Sequence, residues 1–229
     1  MLAELLGRAL GAPPPAVTEV AVAIEYLHTA SVMLDDLPCM DDAAERRGAP
    51  AAHVRFSEAE AILTALALMS RSYAILLLAP VPDARAMALL ATETVASTMA
   101  LGQAMEFAEG ATPSVEVIER IHERKTASLF ALMGRLLAGC AGASAGVTDR
   151  VVTFATLLGR AYQIIDDVED REEPGEARAN LARAVKVEVA RAEAKKRLSE
   201  ARQAIADFAA SGELGAFVAW LEQRLDASD

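Results

Sequence analysis

The chain is predicted to fold as an all-α, single-domain helical bundle. Three features predict it: an aliphatic but aromatic-poor composition, apolar stretches of helical length, and short Pro- and Gly-marked breaks between them. Of the residues, 53% are hydrophobic but only 4% aromatic, so the core must be built from Ala, Leu, Val and Ile. Ala and Leu favour helix, and stretches rich in β-branched or aromatic residues are few. At 229 residues with no dividing linker, residues 1–229 read as one domain.

The elements follow in order. Pro13 to Pro15 ends a short N-terminal helix, and a long helix then runs from about Val17 to Asp36. Pro38 interrupts it, and the polar segment through Arg46, Arg47, Gly48 and Pro50 reads as loop. Further helices are predicted at about 56–79, 83–108, 114–141, 148–170, 179–209 and 213–225, with breaks at Pro80 and Pro82, Gly110 and Pro113, Gly142 and Gly146, and Pro174 and Gly175. Roughly eight helices with short connections make a bundle.

Composition also excludes partners. A formal net charge of −11 repels nucleic acid and anionic lipid, and it admits a diphosphate only where cations intervene. Two cysteines, Cys39 and Cys140, are too few for a disulfide framework and are not spaced as a zinc site, so a reducing cytoplasm is expected. The opening MLAELLGRAL lacks the basic stretch and long apolar run of a signal peptide. The most apolar window, Ala61 to Ala79, is broken by Ser70, Arg71 and Ser72, and reads as a buried bundle helix rather than a membrane anchor.

Two acidic segments carry the chemistry. LDDLPCMDD holds Asp35, Asp36, Asp41 and Asp42 at the end of an otherwise apolar helix, where carboxylates are expensive to bury without a cation. On an unbroken helix Asp35 and Asp41 would not share a face; the break at Pro38 lets the chain bulge and bring Asp41 back beside Asp35. AYQIIDDVED holds Asp166, Asp167 and Asp170. Asp166 and Asp170 stand at i and i+4, a repulsive spacing unless a cation bridges them, and the mostly apolar Val151 to Ile165 places them on a core helix. Two such clusters are oxygen-ligand sites suited to magnesium. Arg46, Arg47 and Lys125 complete the pattern, because carboxylates interleaved with Arg and Lys suit a metal-bridged diphosphate. Alone, the Arg pair would read as an exposed turn and Lys125 as a solvated helix residue. His28 lies two turns before Asp35 on the same face; it is either a satisfied core histidine or a group pointing into the same cavity.

LHTASVMLDDLPCMDDAAERRGAP resembles the first aspartate-rich motif of the trans-prenyl diphosphate synthases, the farnesyl and geranylgeranyl diphosphate synthases, in its D-D-x-x-x-x-D spacing and trailing Arg-Arg-Gly. GRAYQIIDDVED resembles their second motif, D-D-x-x-D preceded by an aromatic-Gln pair, here Tyr162 and Gln163; LGQAMEF and RKTASLF lie between the two in the family's order. The resemblance covers roughly residues 15–170 and continues weakly beyond.

It implies a prenyltransferase with a central substrate cavity, in which three Mg2+ ions, held by Asp35, Asp36, Asp41, Asp166, Asp167 and Asp170, grip an allylic diphosphate. It further implies that Arg46, Lys125 and Gln163 contact its oxygens, that Arg47 and His28 hold isopentenyl diphosphate, and that Thr126 steers the carbocation. Lys186 would fill a later diphosphate-binding lysine position. Product length would be set before the first cluster by Ala30 and Ser31, with Tyr26 a turn deeper; the small Ala30 leaves the floor open and points to geranylgeranyl diphosphate, with farnesyl diphosphate as the shorter possibility. A homodimer is expected, or a heteromer.

Three departures qualify the match. The family's Gly-Lys-Arg segment should precede Met1, its Gly-Asp is Ala65 and Leu66 here, and Glu176 stands where a lysine is usual. They keep open an alternative, a non-catalytic partner subunit that modulates an active synthase. A terpene cyclase fits poorly, since no Asn-Ser-Glu type site is found.

Overall fold

The computed structural model describes residues 1–46, 48–78, 82–108, 113–172, 179–208 and 211–228. These form eleven α-helices: α1 Leu2–Leu10, α2 Pro14–Asp35, α3 Ala52–Arg55, α4 Glu58–Leu78, α5 Pro82–Ala108, α6 Val115–His122, α7 Ser128–Cys140, α8 Ala145–Glu169, α9 Leu181–Ala184, α10 Val187–Ala204 and α11 Ser211–Ala227. The bundle is built around α8, which packs against α7 and α10 and buries Phe154, Leu158, Ile164, Ile165 and Val168. α2 lies mainly along α4, and α1 packs on α2 and α7. Both acidic segments sit at C-terminal helix ends, Asp35 closing α2 and Asp166 in the last turn of α8.

The structure departs from the expected elements in three places, each next to a candidate site residue. The loop after the first acidic segment contains a two-stranded antiparallel hairpin, β1 Glu45–Arg46 and β2 Ala49–Pro50, with Gly48 at φ 74°; that left-handed φ is one glycine adopts without penalty. Second, the helix expected over 114–141 carries a π turn at Glu123–Ala127, between α6 and α7. Glycines of two neighbouring helices admit its backbone. A Cβ on Gly102 of α5 would lie 2.8 Å from the Lys125 nitrogen, and one on Gly159 of α8 would lie 2.7 Å from the Ala127 Cα. Such widened turns occur often at functional sites, and this one carries Lys125 and Thr126.

Third, the helix expected over 179–209 is split. Asn180 caps α9 by accepting the Arg183 N–H at 2.9 Å, and Val185 is extended (φ −123°, ψ 178°) before α10 begins. Arg47 and Glu176 lie outside the described residues. By length and composition, α2 and the 58–77 part of α4 could each cross a membrane, yet here they pack on each other in the bundle.

Candidate active site

The bulge at Pro38 does what the spacing requires. The Asp41 N–H donates to the Asp35 carbonyl at 2.8 Å, and the Asp42 N–H to the Leu37 carbonyl at 3.1 Å. Asp42 takes a positive φ of 50° to make the return, a conformation Asp tolerates better than most residues. Asp41 is thereby close enough to raise the Asp35 pKa. That pKa is pushed up to about 6, first by burial and then by Asp41 and Glu106, against the opposing pull of Lys125 and Arg46.

Lys125 is the cation of this cluster. Its Nζ donates to Glu106 Oε2 at 2.8 Å and stands 3.7 Å from Asp35 Oδ2. Burial opposes its charge, but Asp35 and Glu106 outweigh that, and its pKa is raised. Asp36 is buried and accepts from Arg46 Nε at 3.0 Å and Nη2 at 2.5 Å. Arg46, expected on an allylic diphosphate, here ties the hairpin to the end of α2 and also feels the charges of Asp41 and Asp35.

The second segment repeats the pattern. Asp166, in the last turn of α8, is raised to about 7, first by burial, with Glu169 and Asp170 adding like charge and Arg224 opposing them. Asp170 caps α8 and is exposed, its N–H still bonded to the Asp166 carbonyl. Asp167 is buried and fully engaged by protein. Its Oδ2 accepts the Leu181 N–H at 2.7 Å and lies 3.2 Å from His122 Nε2. Its Oδ1 accepts from Gln163 Nε2 at 3.3 Å, and its carbonyl accepts from Asn180 Nδ2 at 2.8 Å. Asp36 through Oδ1 and Asp167 through both carboxylate oxygens, each expected among the metal ligands, thus also hold the segments that follow them.

The π turn joins the two clusters. Lys125 reaches the first, while the Thr126 hydroxyl donates to Gln163 Oε1 at 2.6 Å, linking through Gln163 to Asp167. Of the remaining expected residues, His28 and Tyr26 are half-buried on α2 and Ala30 is fully buried. The Ser31 hydroxyl is occupied by the His28 carbonyl at 2.8 Å. Lys186 is exposed at the start of α10. Ala65 is buried and Leu66 exposed, so no carboxylate stands where the family places its Gly-Asp.

Sequence reading missed Glu106, His122, Asn180 and Arg224. Glu106 lies within LGQAMEF and His122 just before RKTASLF, and Asn180 reads locally only as a cap; Arg224 contacts the site from a position with no local signal. Gln103, one turn before Glu106, is buried with both amide atoms unpaired.

The donor set fits magnesium. It is all oxygen, and the raised Asp35 and Asp166 show carboxylates under-neutralised by the protein. Among the described residues no three acidic, His or Cys side chains converge into a ready cage. Separately, a cavity of about 410 Å³ beside the π turn is lined by Arg120, Arg124, Ser128 and Thr156 among others, and by no residue of either acidic segment.

Fold and site together define a helical protein of the isoprenoid synthase type. The family model for polyprenyl synthetases matches residues 1–178, and the chain belongs to that family. It is 36% identical over 157 residues to a geranylgeranyl diphosphate synthase of Pantoea ananas, covering 66% of this chain and 52% of that one. It is 38% identical over 161 residues to the farnesyl diphosphate synthase of Escherichia coli K12, covering 66% and 53%. The chain thus spans about half the length of these relatives. Among solved structures, an FPP/GFPP synthase of Zymomonas mobilis superposes with a TM-score of 0.87 at 28% identity, covering 96% of this chain and 82% of that one. A geranyltransferase of Helicobacter pylori complexed with magnesium and isoprenyl diphosphate gives 0.74 at 25%, covering 93% and 73%.

Proposed function

We propose that the protein is a trans-prenyltransferase that condenses isopentenyl diphosphate with an allylic diphosphate, yielding a product of about geranylgeranyl length. The observation that carries this is the π turn, whose Lys125 pairs with Asp35 while Thr126 bonds to Gln163 of the second acidic helix. One five-residue segment thus spans the two carboxylate clusters that would bracket a diphosphate.

Asp35 with Asp41, and Asp166 with Asp170, would hold magnesium, up to the three ions expected from the resemblance; bound there it supplies Lewis-acid neutralisation of the leaving diphosphate. Asp36 and Asp167 would serve by fixing the hairpin and α9. Lys125 would exchange Asp35 for a diphosphate oxygen, a charge-assisted contact that strengthens as the allylic C–O bond breaks. The Thr126 hydroxyl donates to Gln163, and its oxygen lone pairs would be the group that steers the allylic cation. The isopentenyl double bond attacks that cation, a carbon–carbon bond forms, and the adduct loses a proton to the departing diphosphate. His28 and Arg47 would position the isopentenyl diphosphate.

The small side chain at Ala30 would admit a long chain, and Ala30→Tyr should shorten the product. The exposed Leu63, Leu66 and Leu77 of α4 and Leu101 of α5 form an apolar face suited to a homodimer, to be checked by light scattering on the eluting protein.

Incubation with magnesium, isopentenyl diphosphate and each of dimethylallyl, geranyl and farnesyl diphosphate tests the reading. An elongated product supports it. No product with any primer, together with stimulation of a co-purified synthase, would overturn it in favour of a modulating subunit.

A further inference from the structure

Arg224 lies on α11, 58 residues beyond Asp166, yet its guanidinium is part of that cluster. Nη2 donates to Asp166 Oδ1 at 2.7 Å and Nε to Glu169 Oε1 at 2.8 Å. Its Cζ sits 5.0 Å from the centre of the Tyr162 ring, which packs in turn against Phe130. The end of α11 is pinned beside it: the Ser228 carbonyl accepts from Arg171 Nη1 and Arg191 Nη2, each at 2.9 Å, and the Ser228 hydroxyl reaches Glu169.

We infer that Arg224 is a built-in counter-cation for Asp166 and Glu169, displaced when magnesium binds and then transferred to the diphosphate. The inference rests on the proposed metal role of Asp166. Three carboxylates, Asp166, Glu169 and Asp170, crowd the end of α8, and a planar guanidinium is the side chain best shaped to bind two of them at once. Magnesium on Asp166 and a guanidinium on the same carboxylate are like charges at close range in a partly screened site and repel, so the two compete. Displaced by one side-chain swing and still stacked near Tyr162, Arg224 meets a diphosphate with the same two-pronged donor geometry. It would supply a phosphate-binding cation from the far end of the chain.

Trp220, the only tryptophan, lies one turn before Arg224 on α11, half-exposed against Phe217 with ring centres 5.6 Å apart, and so reports on that helix. Mg2+ is titrated at pH 8 into wild type, Arg224→Gln, Arg224→Lys and Asp166→Asn, followed by calorimetry and Trp220 emission, and then inorganic diphosphate is added with Mg2+ present. Wild type should change its emission as Mg2+ binds. Arg224→Gln should bind Mg2+ about tenfold more tightly, show no such change, and bind diphosphate about tenfold more weakly; Arg224→Lys should fall between. Unchanged Mg2+ affinity in Arg224→Gln, with Asp166→Asn impaired, would overturn the inference alone. Asp166→Asn binding Mg2+ like wild type would overturn the metal role of Asp166 and the inference with it. Urea titration of each variant confirms that it is folded.

Discussion

The two acidic segments divide their labour in the same way but recruit their partners differently. In each, the first aspartate is desolvated and under-neutralised, and the second is buried and latches the segment that follows. Asp36 holds Arg46 only ten residues on, whereas Asp167 holds Leu181, fourteen residues away, together with His122 from α6. The cations facing the first aspartates also differ: Lys125 stays 3.7 Å from Asp35, while Arg224 closes to 2.7 Å on Asp166. The latch of the first segment is therefore local and that of the second tertiary, while the first aspartate of each meets a cation from a distant element, Lys125 or Arg224.

If the first aspartate of each pair is the working ligand, the largest effects fall on activity. Asp35→Asn and Asp166→Asn should each lower the rate of product formation by roughly a thousandfold or more, since each removes a charge that holds the neutralising cation at the leaving group. Radiolabelled isopentenyl diphosphate incorporation measures this. A variant within tenfold of wild type would break the proposed division for that segment.

If the second aspartates are latches, they should show in stability, and unequally. Asp167→Ala removes the acceptor for a buried backbone N–H, a buried His and Gln163, and should cost about 2–4 kcal/mol in urea unfolding. Asp36→Ala frees only Arg46, whose side chain is 47% exposed and can turn to water, so the cost should be about 1 kcal/mol. Hydrogen exchange would localise the first loss to Leu181–Ala184. Equal costs for the two variants would mean that distance along the chain is irrelevant to how the latches work.

How much was legible in the sequence follows the same divide. The first segment could be read almost whole, because Pro38 forces a bulge whose consequence, Asp41 returning to Asp35, is local geometry. The helical class and most breaks were legible for the same reason, Pro and Gly acting on their own neighbourhood. The π turn was not, because its cause lies in Gly102 and Gly159 on two other helices. Nor was the break at Val185: an Asn before an apolar stretch is a familiar cap, but the Asp167 contact that makes α9 a separate element is tertiary. Arg224 is the extreme case, a solvated-looking arginine near the C-terminus until folding delivers it to Asp166.

The smallest effect is an offset in pH. The fold raises Asp35 to about 6 and Asp166 to about 7 from an ordinary 3.8, burial being the main cause in both. A carboxyl raised in the native state favours the folded protein in its neutral form, so this stabilisation is complete below the unfolded pKa near 3.8. It is lost as pH rises through about 6 for Asp35 and about 7 for Asp166. Magnesium needs the ionised form, so the rise in Tm on adding Mg2+ should be small at pH 5 and largest near pH 8. The two clusters should enter in sequence as pH rises, Asp35 before Asp166. Asp166→Asn should leave a Mg2+ response that rises near pH 6, and Asp35→Asn one that rises near pH 7. Reversed order would mean that Arg224 offsets burial at Asp166 more than Lys125 does at Asp35, making the second cluster the better neutralised of the two.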